Sequence, residues 1–286
     1  MATVPPVIYI SDLDGTLLLP SRSLGRRTRR VLERFFAAGG RFTVATGRSA
    51  ASTLAALGGL ELPLPAIVHN GALTVSLQTG EVSRVAPLDG EVAGHLFARA
   101  LALGMTPVAY ALPGPDEPGP AVLAPPLHHG PDPNEPTRRY LDSVEPLHPL
   151  VVDDGTRLAR TKMLSLLLLD RPDRTDPFFA TECDPLPGVA SYAGRSAYTA
   201  GLGVGEVTAA EAGKAGAARA LVRETLGRGL EAVVAFGDNM NDLPLLLAAG
   251  QAFCPPDAPP EVLRRVEGRI APPTEEGVAA YLERLM

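Results

Sequence analysis

Two aspartates one residue apart, Asp12 and Asp14 in "SDLDGTLL" at 11–18, are the first residues whose types and spacing suit chemistry. Carboxylates placed together can act as a nucleophile, as a general acid and base, or as oxygen ligands for a hard cation. The run ahead of them, "VIYI" at 7–10, is β-branched and aromatic without polar alternation, the pattern of a buried strand. Both aspartates therefore stand where a strand stops. In open α/β sheets ligands bind in the crevice outside the carboxyl ends of the strands. On this stretch alone, an Asx-type turn in which Asp14 and Gly15 only bend the chain explains the pair as well.

The same strand-then-helix pattern recurs along the chain. "RFTVATGRS" at 41–49 ends in Thr46, Gly47 and Arg48 before the helix-like "AASTLAAL". "AIVHNGAL" at 66–73 ends at Asn70 and Gly71. "EAVVAFGDNMNDLPLLLAAG" at 231–250 ends its strand at Asp238 and continues as a helix, and "QAFCPP" at 251–256 suits a short fifth strand. Strands alternating with helices imply right-handed crossovers and a mainly parallel sheet, so the fold class is α/β. Each strand then delivers its last residue to one edge, where Asp12, Asp14, Thr46, Asn70 and Asp238 are expected together.

The middle of the chain breaks this rhythm. "LTVSLQTGEVSRVAPL" at 73–88 alternates and turns at Thr79-Gly80 like a hairpin, and a helix-like "EVAGHLFARALALG" follows. A stretch crowded with prolines from Pro113 to Pro136 is read as excluding regular helix and central strand. "TKMLSLLLLD" at 161–170 resumes as a strand. Residues 86–194 are therefore expected to form a separate α+β insert, with 1–85 and 195–286 making a discontinuous core.

Composition excludes several classes of function. The chain has 286 residues, 45% of them hydrophobic and 20% charged, which is ordinary for a globular protein large enough for two domains. No apolar run approaches the ~18 residues of a membrane span, and nothing ahead of "VIYI" resembles a signal segment, so a cytoplasmic location is expected. Cys183 and Cys254 stand alone, which suits a reducing compartment and not a zinc site. A net charge of −6 argues against general nucleic-acid binding but leaves room for a small phosphate ester. The arginines of "GRRTRRVLERFFAAGG" at 25–40 lie opposite a stripe of Thr28, Val31, Leu32, Phe35 and Phe36, so they read as a solvated helix face. Oligomeric state is not legible.

"DLDGTLL", "VATGR", "NGA", Lys214 in "EAGKAGAARAL" and "GDNMNDLPLL" occur in an order and spacing that resemble the haloacid dehalogenase superfamily of phosphohydrolases. The long insert and the closing "TEEGVAAYLERL" at 274–285 resemble its Cof-like branch with a class IIB cap. The resemblance implies a Rossmann-like core with an inserted α+β cap that sets specificity. It implies a Mg²⁺-dependent phosphatase acting on a small phosphorylated metabolite such as a sugar phosphate.

By the same resemblance Asp12 is the nucleophile that forms an aspartyl-phosphate, and Asp14 the general acid and base. Asp12, Asp14 through its backbone carbonyl, and Asp238 are the implied Mg²⁺ ligands, with Asp242 as ligand or water-holder. Thr46 and Lys214 are implied to contact the phosphoryl oxygens, and Asn241 to touch that group or orient the loop. Gly47, Arg48 and Asn70 complete the expected phosphate-binding set, although Arg48 and Asn70 also fit a bracing role. Without the resemblance, Lys214 reads as a solvated helix lysine.

Three other stretches invite a function and are better read as structure. "VVDDGTRL" at 151–158 imitates the nucleophile segment, but Asp154-Gly155 between apolar runs reads as a hairpin turn. "GLGVGEV" at 201–207 lacks GxGxxG spacing and a following amphipathic helix. His128 and His129 have no partner at ligand spacing. A phosphotransferase, such as a phosphomutase, would need a second phosphate cluster in the insert, where only Arg138 and Arg139 stand together. A phospho-accepting signalling module would use similar strand-end residues in a single domain about half as long.

Overall fold

A computed structural model describes residues 7–112, 123–195 and 201–286. It divides into two compact units, one of residues up to Arg84 together with Gly213–Met286, the other of Val85–Ala212. The first unit begins with β1 (Ile8–Ser11), α1 (Arg26–Ala37), β2 (Arg41–Val44), α2 (Ala50–Leu57), β3 (Ala66–Val68), β4 (Leu73–Val75) and β5 (Val82–Val85). The second contains α3 (Gly90–Ala102), β6 (Pro107–Ala111), β7 (Leu127–His129), α4 (Glu135–Val144), β8 (Leu150–Val152), β9 (Met163–Asp170), α5 (Pro172–Phe178), β10 (Val189–Arg195) and β11 (Gly203–Ala209). The chain then completes the first unit with α6 (Lys214–Leu226), β12 (Val233–Phe236), α7 (Leu243–Ala248), β13 (Gln251–Cys254), α8 (Pro260–Arg265), β14 (Gly268–Arg269) and α9 (Gly277–Glu283).

The first unit is built on a parallel sheet of order β14-β13-β12-β1-β2. Its central strands are short apolar runs because helices cover both faces of a parallel sheet. Ser11 of β1 lies level with Phe236 of β12 and Val44 of β2. The residues that follow each strand therefore emerge at one edge. A parallel bridge from Ala45 to Ile67 brings the end of β3 beside β2. β3 itself belongs to a three-stranded sheet with β4 and β5, and the tight turn at His69–Gly71 that ends it leads into β4. Asn70 takes φ +51 within that turn.

Helix α1 begins at Gly25, which has no side chain to satisfy the first amides of the helix. The missing acceptor comes from the far end of the chain. Glu276 Oε2 accepts from the Thr28 backbone N–H at 2.6 Å and from Thr28 Oγ1 at 2.7 Å. A Cβ at position 25 would lie 2.1 Å from that oxygen, so glycine makes room for the cap. Glu276→Ala is expected to destabilise the protein by about 1–2 kcal/mol in urea unfolding, with a smaller loss for Glu276→Gln. Equal stability of all three proteins would show that the carboxylate does not cap α1.

The second unit carries a six-stranded sheet, β10-β11-β9-β6-β7-β8. Leu96, Phe97 and Ala100 of α3, with Phe178 and Phe179 at the end of α5, pack on Ala109, Leu166, Leu168 and Val207. This unit continues to Ala212 and does not stop at 194. The reason is β11: the glycine-rich "GVGEVTA" alternates and pairs antiparallel with both β10 and β9. Asp154-Gly155 is likewise not a hairpin turn, since β8 pairs in parallel with β7 and not with β9.

Within the proline-rich stretch, Pro113, Pro115, Pro118 and Pro120 lie outside the described residues. The later prolines do not prevent regular structure. β7 fits between Pro126 and Pro131, and Pro136 sits in the first turn of α4, where an amide hydrogen is not needed. Among the described residues, no helix is long and apolar enough to cross a membrane.

Candidate active site

The edge where β1, β2 and β12 end gathers the residues that the sequence marked. Asp12 follows β1 directly, its backbone N–H donating to the Phe236 carbonyl at 2.8 Å. It is 7% exposed. Lys214, the first residue of α6, reaches the same point and is 2% exposed, so it is no solvated helix lysine. Its ammonium donates to Asp12 Oδ1 at 2.6 Å and to Asp242 Oδ1 at 2.5 Å.

Two glycines make that reach possible. Gly71 has φ +94, and a Cβ there would fall 2.4 Å from the carbonyl oxygen of Gly213, the residue that opens α6. Backbone therefore packs on backbone where the third strand's turn meets the helix start. This explains why "NGA" belongs to the site without any side chain of Gly71 taking part.

Asp238 follows β12 and accepts from Thr16 Oγ1 at 2.8 Å. A Cβ on Gly15, which has φ +80, would lie 2.5 Å from Asp238 Oδ2, so the "DGT" turn is glycine because it runs against this carboxylate. Asp242 uses Oδ2 to accept from the backbone N–H groups of Asp238 at 3.1 Å and Asn239 at 3.0 Å. It thereby shapes the loop while its other oxygen holds Lys214. Asn241 Nδ2 donates to Asn70 Oδ1 at 2.9 Å, tying that loop to the turn after β3.

Thr46 is buried at the end of β2, and its backbone carbonyl accepts from the Asn70 N–H at 2.9 Å. Gly47 stands beside the Asn70 side chain, which a Cβ would approach to 3.1 Å. Arg48 turns towards Asp14: Nε donates to Oδ2 and Nη2 to Oδ1, each at 2.6 Å. All ten residues singled out from the sequence thus lie in the strand-end loops of the first unit or, for Lys214, at the start of α6. The pairing of Arg48 with Asp14 was not legible, because spacing says nothing about which of two loops a guanidinium will face. Thr16, which donates to Asp238, is not among those ten residues. A hydroxyl directly after the Asp-x-Asp-Gly run was the available signal.

Oxygens of Asp12, Asp238 and Asp242 lie within 4.8 Å of one another. Burial pushes Asp12 well above its ordinary value, against the pull of Lys214 and with Asp242 and Asp238 adding repulsion. Burial, reinforced by Asp242 and opposed by Thr16 and Lys214, pushes Asp238 up to about 7. Burial also opposes the charge of Lys214, but Asp12 and Asp242 outweigh it and hold the ammonium above its usual range. Two buried carboxylates on this ammonium, Asp12 and Asp242, with the partly buried Asp238 beside them, make a hard, oxygen-only donor set with negative charge in excess. Such a set fits a divalent cation.

The other candidates do not join this cluster. His128 Nδ1 and Asp153 Oδ2 are 2.8 Å apart, and His129 Nδ1 lies 2.8 Å from the Gly130 carbonyl, so both histidines serve the second unit's own structure.

A model of the haloacid dehalogenase-like hydrolases matches residues 9–282. The chain belongs to that family. Solved structures share the hydrolase's fold across nearly its full length. A haloacid dehalogenase-like hydrolase from Bacteroides thetaiotaomicron is 21% identical with a TM-score of 0.78, over 98% of this chain and 100% of that one. A haloacid dehalogenase-superfamily phosphatase from the same bacterium is 21% identical with a TM-score of 0.74, over 99% and 96%. A subclass IIB sugar phosphatase of this superfamily is 18% identical with a TM-score of 0.73, over 98% of each chain.

Proposed function

We propose that this hydrolase is a Mg²⁺-dependent phosphatase that cleaves a small phosphorylated metabolite, of the sugar phosphate class, through an aspartyl-phosphate on Asp12. The observation that carries the reading is the position of Asp12: at the end of β1, which lies between β12 and β2, 2.6 Å from a buried ammonium and within 4.8 Å of two further carboxylates. Sugar phosphate is favoured because a neighbour of the same fold is named as a sugar phosphatase.

In the first step an Asp12 oxygen attacks phosphorus and the bond from phosphorus to the ester oxygen breaks. The leaving oxygen keeps the bonding pair and takes a proton from Asp14. In the second step water attacks the acyl-phosphate, Asp14 takes the proton of that water, and the bond to the Asp12 oxygen breaks, which returns the carboxylate. Thr46 and Lys214 meet the phosphoryl oxygens, where charge is spread in the transition state. Asn241, with Asn70 and Gly47, holds the loops that frame it. Asp12, Asp238 and the Asp14 carbonyl would hold Mg²⁺, with Asp242 behind them, and the ion would add positive charge beside the phosphoryl group. Specificity for the leaving group is assigned to the second unit. Free, buried Cys183 and Cys254 suit a reducing, cytoplasmic setting, and the partner is a small molecule and not a nucleic acid.

The test is a panel of phosphorylated sugars, nucleotides and cofactors assayed for released phosphate with Mg²⁺. Turnover of at least one sugar phosphate, abolished by a chelator and restored by Mg²⁺, is expected. Absence of phosphate release across the panel, or turnover indifferent to chelation, would overturn the reading.

Asp238→Ala is expected to raise the Mg²⁺ concentration for half-maximal rate at least about tenfold. Added Mg²⁺ should recover part of the lost rate. An unchanged Mg²⁺ titration curve would remove Asp238 from the metal site.

A further inference from the structure

We infer that Arg48 is a positioning residue for proton transfer, fixing the Asp14 carboxylate so that it faces the leaving oxygen; this rests on the proposed role of Asp14. The contact is two-armed, Nε to Oδ2 and Nη2 to Oδ1, both at 2.6 Å. A fork of this kind sets the distance of the carboxylate and also its plane, which one ammonium contact cannot do. The pair is partly screened from water, with side chains 16% and 29% exposed.

Arg48 is itself held at the backbone. Its N–H donates to Thr46 Oγ1 at 3.2 Å, and its carbonyl accepts from the His69 N–H at 2.9 Å. The loop after β2 and the turn after β3 thus fix the base of the guanidinium arm, and Asp14 fixes its tip. Asp14 sits between Leu13 and a glycine at φ +80, a turn in which an unsupported side chain has several rotamers open to it. Proton transfer requires heavy atoms within about 2.6–3.2 Å, so a carboxylate that wanders loses rate without losing substrate affinity. The alternative role for Arg48 is direct contact with the phosphoryl group.

Leaving groups separate the two roles. Nitrophenolate departs without a proton, whereas an alkoxide needs one. The quantity to compare is kcat/KM, which covers events only up to cleavage of the ester bond. It is measured for p-nitrophenyl phosphate and for an alkyl monoester, in the unaltered protein, Arg48→Ala, Asp14→Asn and the double variant. Arg48→Ala is expected to lose about 10²-fold on the alkyl ester, the scale of a misplaced catalytic group, and no more than about 5-fold on p-nitrophenyl phosphate. On the alkyl ester the double variant should be no slower than Asp14→Asn, because the two residues act as one unit.

Arg48→Lys keeps the charge but not the fork, and should show the same split. It also serves as the second variant if Arg48→Ala does not fold. Equal losses on both esters, with additive effects in the double variant, would overturn the inference and assign Arg48 to the phosphoryl group. If Asp14→Asn shows the split while both Arg48 variants do not, the role of Asp14 stands and only the inference falls. If Asp14→Asn itself shows no split, the proposed role of Asp14 falls and takes the inference with it.

Discussion

Asp12→Asn is expected to lower kcat/KM by on the order of 10⁴-fold or more while the protein keeps its fold. The amide has the shape of the carboxylate but not its nucleophilic oxygen, so binding contacts survive and the attacking atom does not. The energetic context sharpens the expectation. Asp12 is buried beside Asp242 and Asp238, and both repel its charge. Removing that charge leaves Lys214 paired with Asp242 at 2.5 Å, so the variant should be as stable as the parent or more so. Steady-state kinetics with circular dichroism and urea unfolding check both halves. Extra Mg²⁺ should give no rescue, in contrast to Asp238→Ala. A folded Asp12→Asn protein that turns over at near-parental rate would end the covalent mechanism.

Lys214→Met is expected to cost both stability and rate. The side chain is buried, and its ammonium bridges two carboxylates from different segments of the chain. Methionine fills most of the volume but leaves Asp12, Asp242 and Asp238 facing one another with no cation between them. Leaving buried charge uncompensated costs about 3–5 kcal/mol. Loss of a cation aimed at developing phosphoryl charge costs on the order of 10²–10³-fold in kcat. Unfolding midpoints in urea and kcat for one active ester give the two readings independently. Parental stability would show that the ammonium does not neutralise the cluster, and parental kcat would show that it does not meet the phosphoryl group.

Much of the first unit was legible because buried parallel strands have a strong signature. "VIYI", "FTV" and "VVAF" are short, largely apolar runs, and a polar residue, Ser11, Thr46 or Asp238, follows within two positions of each. The shared edge followed from the crossover rule, and with it the company of Asp12, Thr46 and Asp238. The second unit was harder for a physical reason. "GVGEVTA" has small residues where strands usually show bulky ones, so β11 carries little strand signature and the expected boundary falls at 194. Its glycines are required by packing: a Cβ on Gly205 would lie 2.1 Å from the Phe179 ring.

Contacts between distant segments were the other blind spot. Nothing in the "KAGAARAL" pattern distinguishes a buried first-turn lysine from a solvated one, because the difference is made by Asp12 and Asp242, 202 and 28 positions away. Glu276 capping α1 and Arg48 gripping Asp14 are of the same kind. Periodicity reports which face of an element is buried, not which side chain from another element arrives there.

The central claim is that phosphoryl passes to Asp12 before it reaches water, and covalent capture tests this most directly. Asp14→Asn lacks the base for the second step, so with p-nitrophenyl phosphate it should release a burst of one nitrophenolate per enzyme and then slow. Acid quenching within the burst, followed by proteolysis and tandem mass spectrometry, should place one phosphoryl group on the peptide containing Asp12, decaying as the enzyme turns over. Burst-phase enzyme with the phosphoryl group on another residue, or steady turnover with no phosphorylated peptide and no burst, would contradict the account.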